Sequence, residues 1–177
     1  GNFPNAGNGN WLEGDEDQVG PMTYYYGHTI GSAWGDVDND NDLDLYIPYF
    51  NEQNRLYLND GNFFRDVATT SGIAHTGRGR GAVWGDFDND GDLDLVVNNL
   101  NSFVSIYRND CSSPRLAIQL KGQGGNTAGT GARLIVEGHE VAQSQEMISG
   151  GRYMSCDQSL RVFAAKRDST HRVTVRW

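Results

Sequence analysis

One stretch of the chain occurs twice. "GSAWGDVDNDNDLDLYI" from Gly31 matches "GAVWGDFDNDGDLDLVV" from Gly81, and the register holds further on, where "LYLNDG" from Leu56 falls on "IYRNDC" from Ile106, an offset of 50 residues throughout. A fixed period of that size with strand-like segments in each copy restricts the fold to stacked β-units such as propeller blades. A unit that short cannot bury its apolar face alone and must lay it against the next one. Within each copy "AWG" or "VWG" leads into an acidic run and "LDLYI" or "LDLVV" leads out as a branched, apolar strand, so each run is a loop between two strands. Composition agrees: 11% of residues are aromatic, and the apolar stretches are short and rich in Val, Ile, Leu and Tyr, which favours sheet over helix. With 177 residues, 37% of them hydrophobic, the chain has material for one ordinary domain or two small ones, almost entirely β.

The acidic runs concentrate the charge. The chain carries 14 basic and 23 acidic residues, and ten of the acids lie in the two runs, so the remainder balances at 14 − 13, or +1. A local excess needs a local cause. Nucleic acid is a poor partner for such loops, since phosphate demands the opposite sign. In "DFDNDGDLD" the side chains of Asp86, Asp88, Asp90 and Asp94 stand at positions 1, 3, 5 and 9, Gly91 at position 6 provides a sharp turn, and Asp92 at position 7 offers a backbone carbonyl. The first loop, "DVDNDNDLD", repeats this with Asp36, Asp38, Asp40, Asp42 and Asp44, with Asn41 in place of the glycine; asparagine tolerates the left-handed conformation better than other non-glycine residues. Two unit charges at 4 Å repel by about 1 kcal/mol in water and about 4 kcal/mol at an effective dielectric of 20, so clustered carboxylates are costly without a cation. The set suits Ca²⁺, which takes six to eight oxygen ligands in a flexible shell, better than Mg²⁺ with its strict octahedron. Two calcium sites are expected. An EF-hand is excluded, because its closing Glu at position 12 is replaced by Ile47 and Val97. Weak calcium sites fill outside the cell, so an exported, extracellular protein is expected.

The "GD-x-DNDG-x-LDL" pattern followed by "N-x-x-x-LY-x-ND" resembles the FG-GAP or VCBS repeat, the calcium-loop blade of integrin-type propellers, over about 27 to 111 in two copies. The resemblance implies that Asp36, Asp38, Asp40 and Asp44, and Asp86, Asp88, Asp90 and Asp94, ligate calcium.

Near "NDCSSPR" the character of the chain changes. Residues 1 to 114 hold 5 basic and 18 acidic residues, and the rest 9 and 5, or −13 against +4. Beyond the change "RLAIQL", "GARLIVEG", "HEVAQSQEMI", "LRVFAA" and "HRVTVRW" read as strands of a small antiparallel sandwich or sheet, giving a division into 1–111 and 112–177. The pattern "L-x-G…N…GTGARLIVEG", "SGGRYMSCDQ" and "VTVRW" is similar to the ASPIC/UnbV domain, with one departure: "VFAAKRD" stands where that family has a Gly-Leu-Gly turn.

Enzymatic signatures are absent from the sequence: His28, His75, His139 and His171 are scattered, with no HExxH pair and no G-x-S-x-G elbow. "GQGGNTAGTG" lacks a P-loop lysine and reads as a hairpin loop, and "GRGRG" puts Arg78 and Arg80 on one face of a solvated strand edge. In an oxidising compartment Cys111 and Cys156 suggest a disulfide between the two parts, the alternative being two buried free thiols. No segment reaches the roughly 18 apolar residues of a membrane-spanning helix.

Two blades cannot close a ring, and open blades leave strand edges that something must cover. Either the chain is part of a longer propeller, or subunits complete one another by strand donation, "MTYYYGHTI" from Met22 being a candidate donor. The charge asymmetry favours head-to-tail contacts, and such contacts, if they do not close, give a homopolymer. The expected role is therefore an extracellular, calcium-stabilised structural subunit of a fibre or surface appendage. The rivals are a secreted adhesion or carbohydrate-binding module with a protein or glycan ligand, using Trp11, Trp34, Trp84 and the "YYY" run, and a non-catalytic appendage of a larger enzyme.

Overall fold

The computed structural model describes residues 28–29, 31–138, 141–152 and 155–177, and among these there is no helix. Two strands open the described chain, β1 (His28–Thr29) and β2 (Ala33–Gly35), followed by β3 (Asp44–Ile47), β4 (Tyr49–Gln53), β5 (Arg55–Asn59) and β6 (Phe64–Asp66). The second repeat supplies β7 (Thr76–Gly85), β8 (Asp94–Asn99) and β9 (Ser105–Tyr107). The trailing part holds β10 (Arg115–Ile118), β11 (Arg133–Glu137), β12 (Gln143–Glu146), β13 (Gly151–Arg152), β14 (Ser155–Cys156), β15 (Arg161–Ala164) and β16 (Arg172–Arg176).

The first repeat forms a four-stranded antiparallel blade in the order β2-β3-β5-β6, and the second continues a five-stranded sheet, β1-β4-β7-β8-β9. The 50-residue period is preserved in the pairing: Trp34 faces Leu45 and Tyr46 faces Leu56, as Trp84 faces Leu95 and Val96 faces Ile106. The long strand β7 joins the two units, its first half pairing with β4 and its second with β8. Its crossover point requires glycine, because a Cβ on Gly79 would lie 2.8 Å from the Pro48 Cβ and 3.1 Å from the Tyr49 carbonyl.

Strand alternation sends one face of the first blade, Ala33, Tyr46 and Leu56, against the opposite face of the second, Ala82, Trp84, Leu95, Val97 and Tyr107. Tyr46 and Trp84 meet edge to face at 6.4 Å between ring centroids. The turn after β6 closes this core with Val67, Ala68 and Ile73. Each of the larger side chains among these stabilises by about 1.5–3 kcal/mol when buried, so the contact between blades is a substantial adhesive of this half of the molecule.

The trailing strands form β10-β15, β12-β11-β16 and the hairpin β13-β14. Leu134 and Val136 of the three-stranded sheet, with Ala132 just before β11, share a core with Phe163, Leu116 and Ile118 of the two-stranded one, so the two sheets pack as a small sandwich. Side-chain amides stitch them together: Gln143 Nε2 donates to the Ala164 carbonyl and Gln143 Oε1 accepts from Ala164 N, while Gln145 Nε2 donates to the Val162 carbonyl. All five expected strand segments of this part are found, and β13-β14 is an addition.

Three expectations need correction. Cys111 and Cys156 are free thiols, and neither is fully buried; Cys111 lies against the first acidic loop and Cys156 caps the Gly150 amide. The glycine-rich stretch is a loop but not a hairpin, because its flanking strands β10 and β11 pair with β15 and with β12 and β16. Arg78 and Arg80 sit on an internal strand rather than an edge, with their guanidinium groups 5.5 and 5.2 Å from the Phe50 ring centroid, a cation–π clamp between repeats. Most of "MTYYYGHTI" falls outside the described residues, as do Trp11 and His139.

Candidate metal loops

Both acidic loops adopt the same backbone. Position 4 is left-handed in each, at Asn39 (φ 57°) and Asn89 (φ 63°), and so is position 6, at Asn41 (φ 85°) and Gly91 (φ 93°). Asparagine at position 6 of the first loop therefore does what glycine does in the second. These two reversals curl the chain so that alternate side chains converge instead of alternating across a strand.

Position 9 anchors the curl. Asp44 accepts hydrogen bonds from Val37 N at 2.8 Å and from Asn59 N at 2.9 Å; Asp94 accepts from Phe87 N and Asn109 N, both at 2.8 Å. Each carboxylate thus ties the loop entrance to the strand exit 15 residues later, and Asn59 and Asn109 are the repeated asparagines of "LYLND" and "IYRND".

The other carboxylates divide. In the first loop Asp36, Asp38 and Asp40 each place an oxygen within 4.8 Å of the others; in the second, Asp86, Asp88 and Asp94 do so. Asp42 is outside the first cluster, and its amide donates to Asp40 Oδ1 at 2.9 Å. Asp90 and Asp92 are outside the second, and both face Arg115, whose Nη2 is 3.4 Å from Asp90 Oδ1 and 3.6 Å from Asp92 Oδ2. Arg115 also donates to the Asp90 carbonyl from Nε at 3.2 Å and Nη2 at 2.8 Å. Arg108 Nε lies 3.9 Å from Asp88 Oδ2. Among the described residues no lysine or arginine lies in ion-pair range of the first loop's aspartates.

The carboxyl groups register this crowding. Burial, then the charges of Asp40 and Asp38, push Asp36 up to about 7 against the pull of the Asn41 and Asp40 amides. Burial and Asp40 bring Asp38 to about 6, and burial raises Asp40. Burial, then Asp38, brings Asp44 to about 9 despite its two amide donors. In the second loop burial and then Asp90 raise Asp92 to about 8, with Arg115 pulling back, and burial raises Asp94.

The donor set fits a hard cation. Within the two clusters Asp38 Oδ1 and Asp86 Oδ1 are buried with no hydrogen-bond donor, and outside them the side-chain oxygens of Asp92 have none either but face Arg115. A buried acceptor without a partner is expensive, and a divalent ion facing such oxygens removes the cost. The residues able to hold it in the first loop are Asp36, Asp38 and Asp40, and in the second Asp86, Asp88 and Asp94.

Each loop is sealed by the next unit along the chain. The exit of the second repeat lies on the first loop: Asn109 Nδ2 donates to the Val37 carbonyl at 2.7 Å and Cys111 Sγ to the Asp38 carbonyl at 3.2 Å. The trailing part lies on the second. Gln158 Oε1 accepts from Asp86 N at 2.7 Å, Asp157 Oδ1 accepts from Trp84 N at 3.0 Å, and Gln158 N donates to the Trp84 carbonyl at 3.2 Å. Asp157 is itself gripped by Arg152, with Nη2 at 2.6 Å, and Arg152 Nη2 reaches the Trp34 carbonyl. Sequence reasoning missed Asn59, Asn109, Arg115, Asp157 and Gln158. The two asparagines were available in the repeat itself, whereas nothing in the sequence marks the other three.

A family model described as an FG-GAP-like repeat matches residues 36–97, a span that begins at the first aspartate of the first loop and takes in the whole second loop. No curated protein matches the chain. The match and the antiparallel sheets agree on an all-β, propeller-blade-like fold.

Proposed function

We propose that this chain is an extracellular, calcium-stabilised structural protein whose copies associate head to tail, as the subunit of a fibre or surface appendage. Each acidic loop holds one Ca²⁺, through Asp36, Asp38 and Asp40 in the first and Asp86, Asp88 and Asp94 in the second, while Asp42 and Asp44, and Asp90 and Asp92, the other aspartates of the expected sets, stand outside those clusters. The ion supplies positive charge that lets converging carboxylates remain ionised, and so locks the turn between two blade strands. The observation that carries this is the pair of loops with one backbone, buried side-chain oxygens lacking donors, and a family match to an FG-GAP-like repeat.

An exported location is supported by the match to a repeat typical of extracellular or surface proteins, and no helix among the described residues is long and apolar enough to cross a membrane. A division at about 111/112, with the trailing sandwich of ASPIC/UnbV type and the leading repeats of VCBS type, accounts for the change in charge and sheet order there. The non-catalytic reading rests on the sequence alone, in which the histidines are scattered and neither an HExxH pair nor a G-x-S-x-G elbow occurs.

The rival, an adhesion module that binds glycan or protein, draws on exposed aromatic side chains, Trp34, Phe87 and Phe103. Electron microscopy of the purified chain in millimolar calcium tests the choice. Filaments that disperse on chelation support the structural role; monodisperse particles that bind a glycan array overturn it in favour of adhesion.

A further inference from the structure

The second blade is incomplete, and the first shows what is missing. In the first repeat β5 turns through Asp60–Phe63, where Asp60 Oδ1 accepts from Asn62 N and Phe63 N, and returns as β6 to complete a four-stranded blade. In the second, the residues equivalent to β6, 114–116, are drawn away into β10, which pairs with β15. The strand β9 is left as a sheet edge.

The face of the second blade is open too. Residues 50 apart occupy equivalent places, yet Leu56 is 1% exposed and Ile106 61%, and Asn54 is 1% exposed and Val104 52%. Phe103, on the same hairpin, is 93% exposed. Leu56 and Asn54 are covered because the next repeat packs on them: the first blade's face lies in the core with Trp84, and Asn54 N donates to the His75 carbonyl. Among the described residues nothing equivalent packs on the Val104 and Ile106 face of the second repeat.

The complementary half is open at the other end. Trp84 is 3% exposed because it packs on the preceding blade's Tyr46, whereas Trp34, its equivalent with no preceding blade among the described residues, is 43% exposed. The neighbours of Trp34 on that face, Leu45, Ile47 and Tyr57, are already packed with Tyr49 and Phe64, so what remains open is Trp34 and the outer edge of β1. In the second repeat the Arg78 carbonyl accepts from Leu100 N. Its equivalent in His28 therefore faces β4, and strand alternation turns the backbone groups of Thr29 outward.

Resting on the head-to-tail reading above, we propose that these two half-sites are one interface. The Val96, Val104 and Ile106 face of one copy receives Trp34 and the β1 edge of a second copy, repeating between molecules the contact that joins the two blades within each. Such an interface is heterologous and propagates. Its occupant is chosen by the register: a second copy offers the same tryptophan, at the same step of the period, that the internal contact uses.

The experiment uses two full-length variants in millimolar calcium, Ile106→Lys, which blocks the face, and Trp34→Ala, which empties the knob, with Val104→Lys and Thr29→Pro as independent partners should either fail to give a calcium-dependent melt. Analytical ultracentrifugation of the wild type should show polymers and each variant alone monomers. An equimolar mixture should give a species of about twice the monomer mass, because each variant keeps the half-site the other lacks. Variants that polymerise like wild type, or a mixture that stays monomeric, overturn this interface while the wild-type polymer leaves the proposed function standing. A wild type that is monomeric at every concentration overturns both. A monomer that gains dye-binding apolar surface when residues 1–27 are removed shows that the chain's own leading segment covers the face, and overturns the second copy as occupant.

Discussion

Removing calcium should reverse the pH dependence of stability. In the metal-free fold, burial and mutual repulsion raise Asp36 to about 7, Asp44 to about 9 and Asp92 to about 8, from 3.8 in an unfolded chain. A raised carboxyl favours the protonated fold, so its stabilising share is complete below the unfolded value, falls as pH rises, and is gone above the folded value. Between about pH 5 and pH 6 each of the three holds a proton in the fold that the unfolded chain has lost, and each such proton lowers the unfolding free energy by about 1.4 kcal/mol per pH unit. Three independent groups would set a slope of about 4 kcal/mol per unit. Asp36 and Asp44 both interact with Asp38 and titrate as a set, which reduces the expected slope to about 1–3 kcal/mol per unit. On the proposed function, calcium would bind the ionised form and displace those protons, so its stabilisation should grow as pH rises. Urea melts at about pH 5 and about pH 8, with chelator and with millimolar calcium, measure both slopes. Titration calorimetry in buffers of different ionisation enthalpy counts the released protons. Metal-free protein that becomes more stable from pH 5 to pH 8, or a calcium effect indifferent to pH, would refute the convergence of carboxylates on which the metal loops rest.

The packing leads to three further outcomes. Arg115→Met should lower stability by about 2–4 kcal/mol in urea melts, since it leaves the Asp90 carbonyl and the buried Asp92 facing no cation, and Asp92→Asn in the same chain should restore part of the loss. Trp84→Ala should cost about 3–5 kcal/mol in thermal melts of dilute protein and Trp34→Ala distinctly less, because only the first sits between the blades; equal losses would contradict the blade order. Thiol titration of the native protein without reductant should find two reactive groups per chain, Cys156 reacting faster than Cys111, and no mass loss of a disulfide.

The fold was legible because repetition multiplies evidence. A single "DNDGDLD" specifies a turn; two in register, each between an apolar lead-in and an apolar exit, specify strands, pairing and the stacking of units. Asn41 could be read as a glycine substitute because the twin loop has Gly91 at the same place, and its φ of 85° bears this out. Side-chain order within the loops was less legible. Equal spacing suggested equal roles for positions 1, 3, 5 and 9, but position 5 turns inward in the first loop and toward Arg115 in the second, while position 9 clusters in the second alone. That difference originates outside the loops, in the unlike units that close them: a second blade over the first loop, a sandwich over the second. The supposed disulfide failed for the same reason: cysteine count and charge say nothing of distance, and Cys111 is committed to the Asp38 carbonyl at the first loop.

Because each loop is closed by the unit after it, the two proposed calcium sites should respond to different distant changes. The first loop leans on Asn109 and Cys111, so it depends on the second blade; the second leans on Arg115, Asp157 and Gln158, so it depends on the docking of the trailing sandwich. Gln158→Ala removes the acceptor of the Asp86 amide, a 2.7 Å bond at the very entrance of the second loop, without touching any carboxylate. A partly buried hydrogen bond of this kind contributes about 0.5–1.5 kcal/mol, which lowers calcium affinity by roughly two- to tenfold if the bond is formed only in the ordered loop. Calorimetric titration should show the shift in one site and leave the other unchanged, and disabling the first loop with Asp36→Ala should leave only the shifted site visible. Were both sites to weaken together, the loops would be coupled through the shared blade core rather than sealed separately, and the unit-by-unit closure deduced from the hydrogen bonds would be wrong.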